Sequence, residues 1–224
     1  MDWRFNTIWF DDVPEGRVEF MNPSDYGILN FDRSTIEYLV SNSFKSQSKN
    51  IQDLPAGDSL LYLELNKANI ESLNGISKFT KLKRLEMHYC LKLGSDKELG
   101  SLKDTLEWIH ISQSKNFSYG EDLLSLSKLK VLCLNNCAPL PNLSFLSNFP
   151  SLLDFRFVGT NIESGDLTPL LNHPTLCSAG FLDKRHYNLK SAEVSSALAQ
   201  KKAAAIARVH KEQYETFRYL AVGT

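Results

Sequence analysis

One leucine keeps returning. Leu60, Leu82, Leu106, Leu129, Leu152 and Leu176 are separated by 22, 24, 23, 23 and 24 residues, a period far too long for any single helix or strand and too regular for an unrelated fold. After each leader a second apolar residue follows three positions later and a third five positions later. The pairs are Leu63 and Leu65, Leu85 and Met87, Ile109 and Ile111, Leu132 and Leu134, Phe155 and Phe157, then Ala179 and Phe181. Alternation through the last three positions sends every second side chain to the same side, the signature of a short strand. Three residues beyond the third apolar position stand Ala68, Cys90, Ser114, Cys137 and Thr160, small groups that suit a chain turning inward. Ile70, Leu93, Phe117, Leu140 and Ile162 then supply one more apolar side chain each.

The resulting pattern, L-x-x-L-x-L-x-x-N/C-x-L, resembles the leucine-rich repeat family over residues 59–183. The resemblance implies an α/β solenoid: stacked short strands form a curved parallel β-sheet on a concave side, with irregular 3₁₀ or short-helical segments on the convex side. Ile76–Phe79, Leu99–Leu102, Leu123–Leu126, Leu143–Leu146 and Leu167–Leu171 place apolar residues about three apart, as such convex turns require. Pro139, Pro141, Pro150, Pro169 and Pro174 all fall outside the strand motifs, where a missing amide donor does little harm.

A solenoid must close its two apolar ends, so the flanks are expected to be caps. Residues 1–58 read as an α+β cap. Ile8-Trp9-Phe10 and Val18-Glu19-Phe20 flank Pro14-Glu15-Gly16 as a hairpin would, and Asp32 to Val40 reads as a short helix that Ser34 could cap. Ser46 to Asn50 is expected to be a surface loop. Residues 184–224 read as a C-terminal capping helix from Ser191 to about Arg218, which contains no Gly or Pro, with Val194, Leu198, Ala205 and Val209 on one face.

The strand register also predicts which side chains stand on the concave face. A first column comprises Tyr62, Arg84, Trp108, Val131, Asp154 and Ser178. A middle column holds Glu64, Glu86, His110, Cys133, Arg156 and Gly180. A last column holds Asn66, His88, Ser112, Asn135, Val158 and Leu182, with Lys67, Tyr89, Gln113 and Asn136 at its rim. Tyr, Trp and Arg dominate the energetics of protein interfaces. The expected partner contacts are therefore Tyr62, Arg84, Glu86, His88, Tyr89, Trp108, His110, Asn135, Asp154 and Arg156, with Trp108 as an exposed central anchor. Glu86, His110 and Cys133 lie on successive strands in the order of a carboxylate–imidazole–thiol relay, the remote enzymatic alternative, and His88, His110 and Cys133 are a conceivable metal set. The relay would need free amides for an oxyanion, which a continuous ladder consumes. The expectation is therefore no enzyme, no cofactor and no metal.

Composition narrows the partner. The chain carries a formal charge of −1 over 224 residues, but residues 1–58 bear −5, residues 59–183 bear −1 and residues 184–224 bear +5. No basic stripe crosses the repeats as nucleic-acid binding would require. Neither an apolar run of membrane-spanning length nor a secretory start occurs, and four cysteines without a C-x-x-C pair suggest neither disulfides nor structural zinc. A cytoplasmic, monomeric, protein-binding module is expected. The absence of cysteine-rich caps and of attached effector or kinase segments makes the chain resemble small stand-alone bacterial leucine-rich-repeat proteins. That group includes immunity proteins that neutralise a secreted toxin; a regulatory or adaptor subunit for another cytosolic protein is the alternative.

Overall fold

The computed structural model describes residues 1–23, 34–202 and 205–220. Eight parallel strands lie side by side in sequence order: β1 (Val18–Met21), β2 (Tyr38–Asn42), β3 (Tyr62–Asn66), β4 (Arg84–His88), β5 (Trp108–Ser112), β6 (Val131–Asn135), β7 (Asp154–Arg156) and β8 (Ser178–Gly180). The register follows the sequence period. Leu63 pairs with Leu85, Leu85 with Ile109, Ile109 with Leu132, Leu132 with Phe155 and Phe155 with Ala179. All six leaders from Leu60 to Leu176 are fully buried.

The return path runs over 3₁₀ turns at Ile51–Asp53, Ile76–Lys78, Leu99–Leu102 and Ser144–Asn148, and over the short helices α1 (Glu121–Leu124) and α2 (Thr168–Asn172). These carry the apolar triplets expected on the convex side. Toward the C-terminal end aromatic rings replace aliphatic side chains: Phe157 stacks on Phe155 at 5.1 Å between centroids and on Phe181 at 5.0 Å.

Two local devices join one coil to the next. The first is the residue just after each strand: Ser43, Lys67, Tyr89, Gln113 and Asn136 all adopt left-handed backbone with φ between 50° and 56°. Ser43, Lys67, Tyr89 and Gln113 donate their N–H to the last strand carbonyl of the following coil and Asn136 donates to the Val158 carbonyl just beyond β7, at 2.7 to 2.9 Å, adding a rung between coils. At the corresponding place after β7 stands Gly159, with φ 76°, where a Cβ would collide with the Asn136 side chain. The second device is the small inward residue. Thr160 Oγ donates to the Leu134 carbonyl at 2.6 Å and accepts from the Cys137 amide at 2.9 Å, while the Cys137 thiol donates to the Ile111 carbonyl at 3.4 Å.

Both caps differ from expectation. Val18–Met21 is a strand, but it pairs in parallel with β2 rather than forming a hairpin with Ile8–Phe10, and Phe10–Asp12 is a 3₁₀ turn. Tyr38–Val40 is not helical: it begins β2, one more coil of the solenoid, with Ile36 and Leu39 in register with Leu60 and Leu63. That coil carries Ser41 where the pattern has a third apolar residue and Phe44 where it has a small one. The Asp32 and Arg33 portion of the expected helix lies outside the described residues. Ser46 to Asn50 is indeed a loop, with the Ser46 amide held by Asn69 Oδ1 at 2.8 Å.

At the other end, α3 (Ser191–Lys202) buries Val194 and Leu198 against the last coil, as a cap should. It does not continue to Arg218. The chain instead forms an antiparallel hairpin of β9 (Ile206–Lys211) and β10 (Tyr214–Tyr219), so Ala205 and Val209 belong to a different element from Val194. No helix among the described residues is long and apolar enough to cross a membrane.

Leu132, fully buried at the centre of the ladder, offers a direct check on the stacking. Leu132→Ala should cost about 2–5 kcal/mol of stability, read by denaturant unfolding, because neighbouring coils cannot collapse into the space left.

Candidate functional site

The concave face is not free. The N-terminal segment and the β9–β10 hairpin lie across it, joined to each other. Phe5 bridges Arg218 in antiparallel fashion, the Asn6 amide donates to the Phe217 carbonyl at 2.7 Å, and the Tyr219 amide donates to the Arg4 carbonyl at 3.1 Å. Thr216, itself buried, binds both the amide and the carbonyl of Thr7. Ion pairs close the seam: Arg218 to Asp2 at 2.9 Å and Lys211 to Asp12 at 2.6 Å. Burial works to raise the Asp2 carboxyl, yet Arg4 and Arg218 hold it down at about 2. The opposite charges of the two ends thus meet in this lid.

Beneath the lid lies the first concave column, and here the expectation of an exposed anchor is corrected. Trp108 is 2 % exposed, and Tyr62, Arg84 and Asp154 are buried with it. Phe10 packs edge-on against Tyr62 at 5.7 Å, and Tyr219 packs edge-on against Trp108 at 5.0 Å. Trp108 joins Val131, Cys133, Leu153, Cys177, Ala205 and Ile206 in a small apolar cluster separate from the main core. These residues hold the chain's own ends. An aromatic and arginine column is adhesive whatever covers it, and the cover is intramolecular.

Arg84 is the centre of the arrangement. Its guanidinium lies 3.8 Å from the centroid of the Trp108 ring and donates to the carbonyls of Trp3 (3.0 Å), Phe5 (2.5 Å) and Asn6 (3.2 Å). Its Nε donates to Glu86 Oε1 at 2.6 Å. At the hairpin end the Tyr219 hydroxyl donates to Asp154 Oδ2, which also receives Arg156 Nε and Nη2 at 3.0 and 2.9 Å.

The other oxygen of Glu86 faces two histidines, His88 Nε2 at 2.9 Å and His110 Nδ1 at 3.5 Å, whose rings meet edge to face at 4.7 Å. Burial would raise the Glu86 carboxyl, but the Arg84 guanidinium and the two imidazoles outweigh it and hold the group well below the usual carboxylate range. Glu86, His88 and His110 are close enough together to hold a metal ion. The hydrogen bonds point elsewhere. Asn135 Oδ1 accepts the Val158 amide at 2.9 Å, which turns its Nδ2 toward His110 Nε2 at 3.2 Å. That nitrogen is therefore the acceptor, so neutral His110 carries its proton on Nδ1 and gives it to Glu86. A metal on Nδ1 would need the opposite tautomer, facing a second donor.

The thiol relay is not assembled either. Cys133 pairs with His110 in register, but its side chain is buried in the Trp108 cluster, and burial pushes the thiol far up, away from the thiolate a nucleophile requires. His110 is engaged with Glu86 and Asn135 instead. Of the remaining expected contacts, His88, His110, Asn135 and Arg156 are half-buried, and Tyr89 is 50 % exposed on the rim.

Arg84→Ala leaves the Glu86 carboxylate buried beside unpaired carbonyls, and should cost about 3–5 kcal/mol in thermal or denaturant unfolding. The Glu86 contribution is present above the ordinary carboxylate value and is lost as pH falls through its lower folded value. Glu86→Gln should therefore lower Tm at pH 7 and flatten its decline between about pH 5 and pH 3 relative to the unaltered chain. Truncation after residue 204 should uncover Trp108. In a Trp3→Phe, Trp9→Phe background this should appear as red-shifted emission with stronger acrylamide quenching; unchanged emission would contradict the lid.

No protein-family description matches the sequence, and no curated protein is found similar to it. Among solved structures, the leucine-rich repeat domain of the type III effector XCV3220 (XopL) is similar, with 16% identity, a TM-score of 0.42, and coverage of 65% of this chain and 53% of that one. So is an internalin (inlF) from Listeria monocytogenes str. 4b F2365, with 14% identity, a TM-score of 0.35, and coverage of 74% and 61%. The chain thus spans between about half and three fifths of the length of these proteins. Independently of them, the recurrence of 22 to 24 residues and the strand-by-strand register establish what the molecule is in architecture: a leucine-rich-repeat solenoid.

Proposed function

We propose that the chain is a non-enzymatic protein-binding module that acts as an immunity protein, occupying and blocking a cognate toxin. One observation carries the binding part of this reading. The lid consumes the first concave column, yet on the rim where the strands end, Tyr89 and Leu91 stand 50 % and 57 % exposed beside an open hollow of about 390 Å³. Large exposed apolar side chains on a stiff scaffold favour association, since ordering them on binding costs little and removes them from water. The immunity part extends the resemblance of the repeats to bacterial leucine-rich-repeat proteins. Cytoplasmic residence and a monomeric free state complete the proposal.

The experiment is co-expression with the toxin-like product of a neighbouring gene. Restored growth and a 1:1 complex on gel filtration are expected. Absence of both, with capture of a different cytosolic protein, would replace immunity by the adaptor reading.

A further inference from the structure

We infer that the strand-end rim around Tyr89 and Leu91 docks an acidic protein segment bearing an aromatic or aliphatic anchor. The inference rests on the protein-binding reading and names the partner's chemistry. The turns that follow β3, β4 and β5 present Lys67, Lys92 and Lys115, all exposed, and the turn after β2 adds Lys45. No carboxylate occurs within residues 67–70, 89–94 or 113–118, and none of these lysines forms an ion pair among the described residues. Elsewhere on the repeats Lys83 and Lys130 both grip Glu107, at 3.3 and 2.7 Å, while Lys81, Lys97, Lys103 and Lys128 form no ion pair among the described residues, so what distinguishes the rim is that its lysines flank an apolar hollow.

The nearest carboxylates inward of the rim are already engaged. Glu64 receives the Tyr62 hydroxyl at 2.5 Å and Asn66 Nδ2 at 2.8 Å, and Glu86 is held by Arg84 and His88. Outward, Glu71 is exposed just past residue 70, and it limits the basic strip on that side.

Basic and apolar groups share one small area. The hollow is lined by Lys67, Ala68, Asn69, Tyr89, Leu91 and Lys92, so an apolar side chain seated there has an ammonium group on either flank. Left-handed backbone at Lys67 and Tyr89, tied to the next coil by N–H bonds of 2.8 and 2.9 Å, fixes the positions from which these two side chains leave the coil. Carboxylates flanking the anchor would meet lysines that have no competing partner, which sets both sign and orientation of the approach.

The test is selection followed by measurement. A displayed library of random peptides is panned on the intact chain, with counter-selection on Lys67→Glu/Lys92→Glu/Lys115→Glu, a surface variant checked for unchanged Tm. Enriched peptides should be net negative with one aromatic or aliphatic residue. Affinity by fluorescence anisotropy should fall at least about tenfold in the charge-reversed chain, in Tyr89→Ala/Leu91→Ala, and on raising salt from about 50 to 500 mM. No enrichment, a neutral or basic consensus, or equal binding to the variants would overturn the inference, as would tighter binding of an oligouridylate or of phosphatidylserine vesicles than of any peptide. A captured protein partner whose affinity ignores these substitutions would sink the rim assignment while leaving the binding-module reading intact; acidic peptides bound without any protein partner would do the reverse.

Discussion

A strand in a parallel ladder has no use for its amides except in the strand beside it. Every coil of this solenoid must therefore deliver its strand at the same height as the last, and the interval of 22 to 24 residues is the length of chain that makes one circuit and arrives in register. The left-handed residues after the strands serve the same constraint, each adding one more coil-to-coil bond before the chain turns away from the sheet. Placing Lys, Tyr and Gln in that region of backbone is costly relative to glycine. It also leaves a side chain at the rim where glycine would leave none.

The constraint that builds the sheet leaves its concave side unspecified, and this chain uses part of that side to secure its own ends. Arg84 links the two levels. From a strand of the ladder it satisfies three carbonyls of the N-terminal segment, neutralises Glu86 and supports Trp108. An arginine with fewer acceptors at this depth would be a liability, and so would Glu86 without it. The hairpin adds Tyr219, which closes over Trp108 and reaches Asp154. Lid and column stabilise each other, so loosening either end exposes the indole.

Six coils were legible because their side chains repeat, and the convex turns and proline positions followed from them. The coil of β2 was not, since Ser41 and Phe44 break the pattern at two of its marked positions while the backbone register persists. Register is enforced by hydrogen bonds that any residue but proline supplies, so it outlasts the side-chain signature. The hairpin of β9 and β10 was hidden by a run without Gly or Pro that also suited a helix, although Tyr214, Thr216, Phe217 and Tyr219 are strand-favouring residues. For the site, the strand register matches the first two column assignments through β8 and the last one through β6, β7 and β8 ending before Val158 and Leu182, while the expected exposure of Trp108 was not met. Periodicity tells which way a side chain points, and it carries no information about a distant segment that folds over it. The one relevant signal was the −5 and +5 imbalance of the two ends. Opposite charge at the termini is what a lid assembled from both of them needs in Asp2–Arg218 and Asp12–Lys211.

Covering the first column changes what the remaining surface has to do. An uncovered concave face would offer a partner Trp108 and Arg84, the side chains with the greatest binding energy per residue. With those engaged internally, the proposed recognition falls to residues that the lid does not reach and that the ladder holds still. Tyr89 meets both conditions: its backbone is locked to the next coil and its ring is half in solvent. The side chains that keep the molecule together thus lie on the strands, and those proposed to bind another lie in the turns that follow them, five to eight residues on. On the proposed rim site, a substitution in the column is expected to be read as loss of the fold, and a substitution on the rim as loss of the partner.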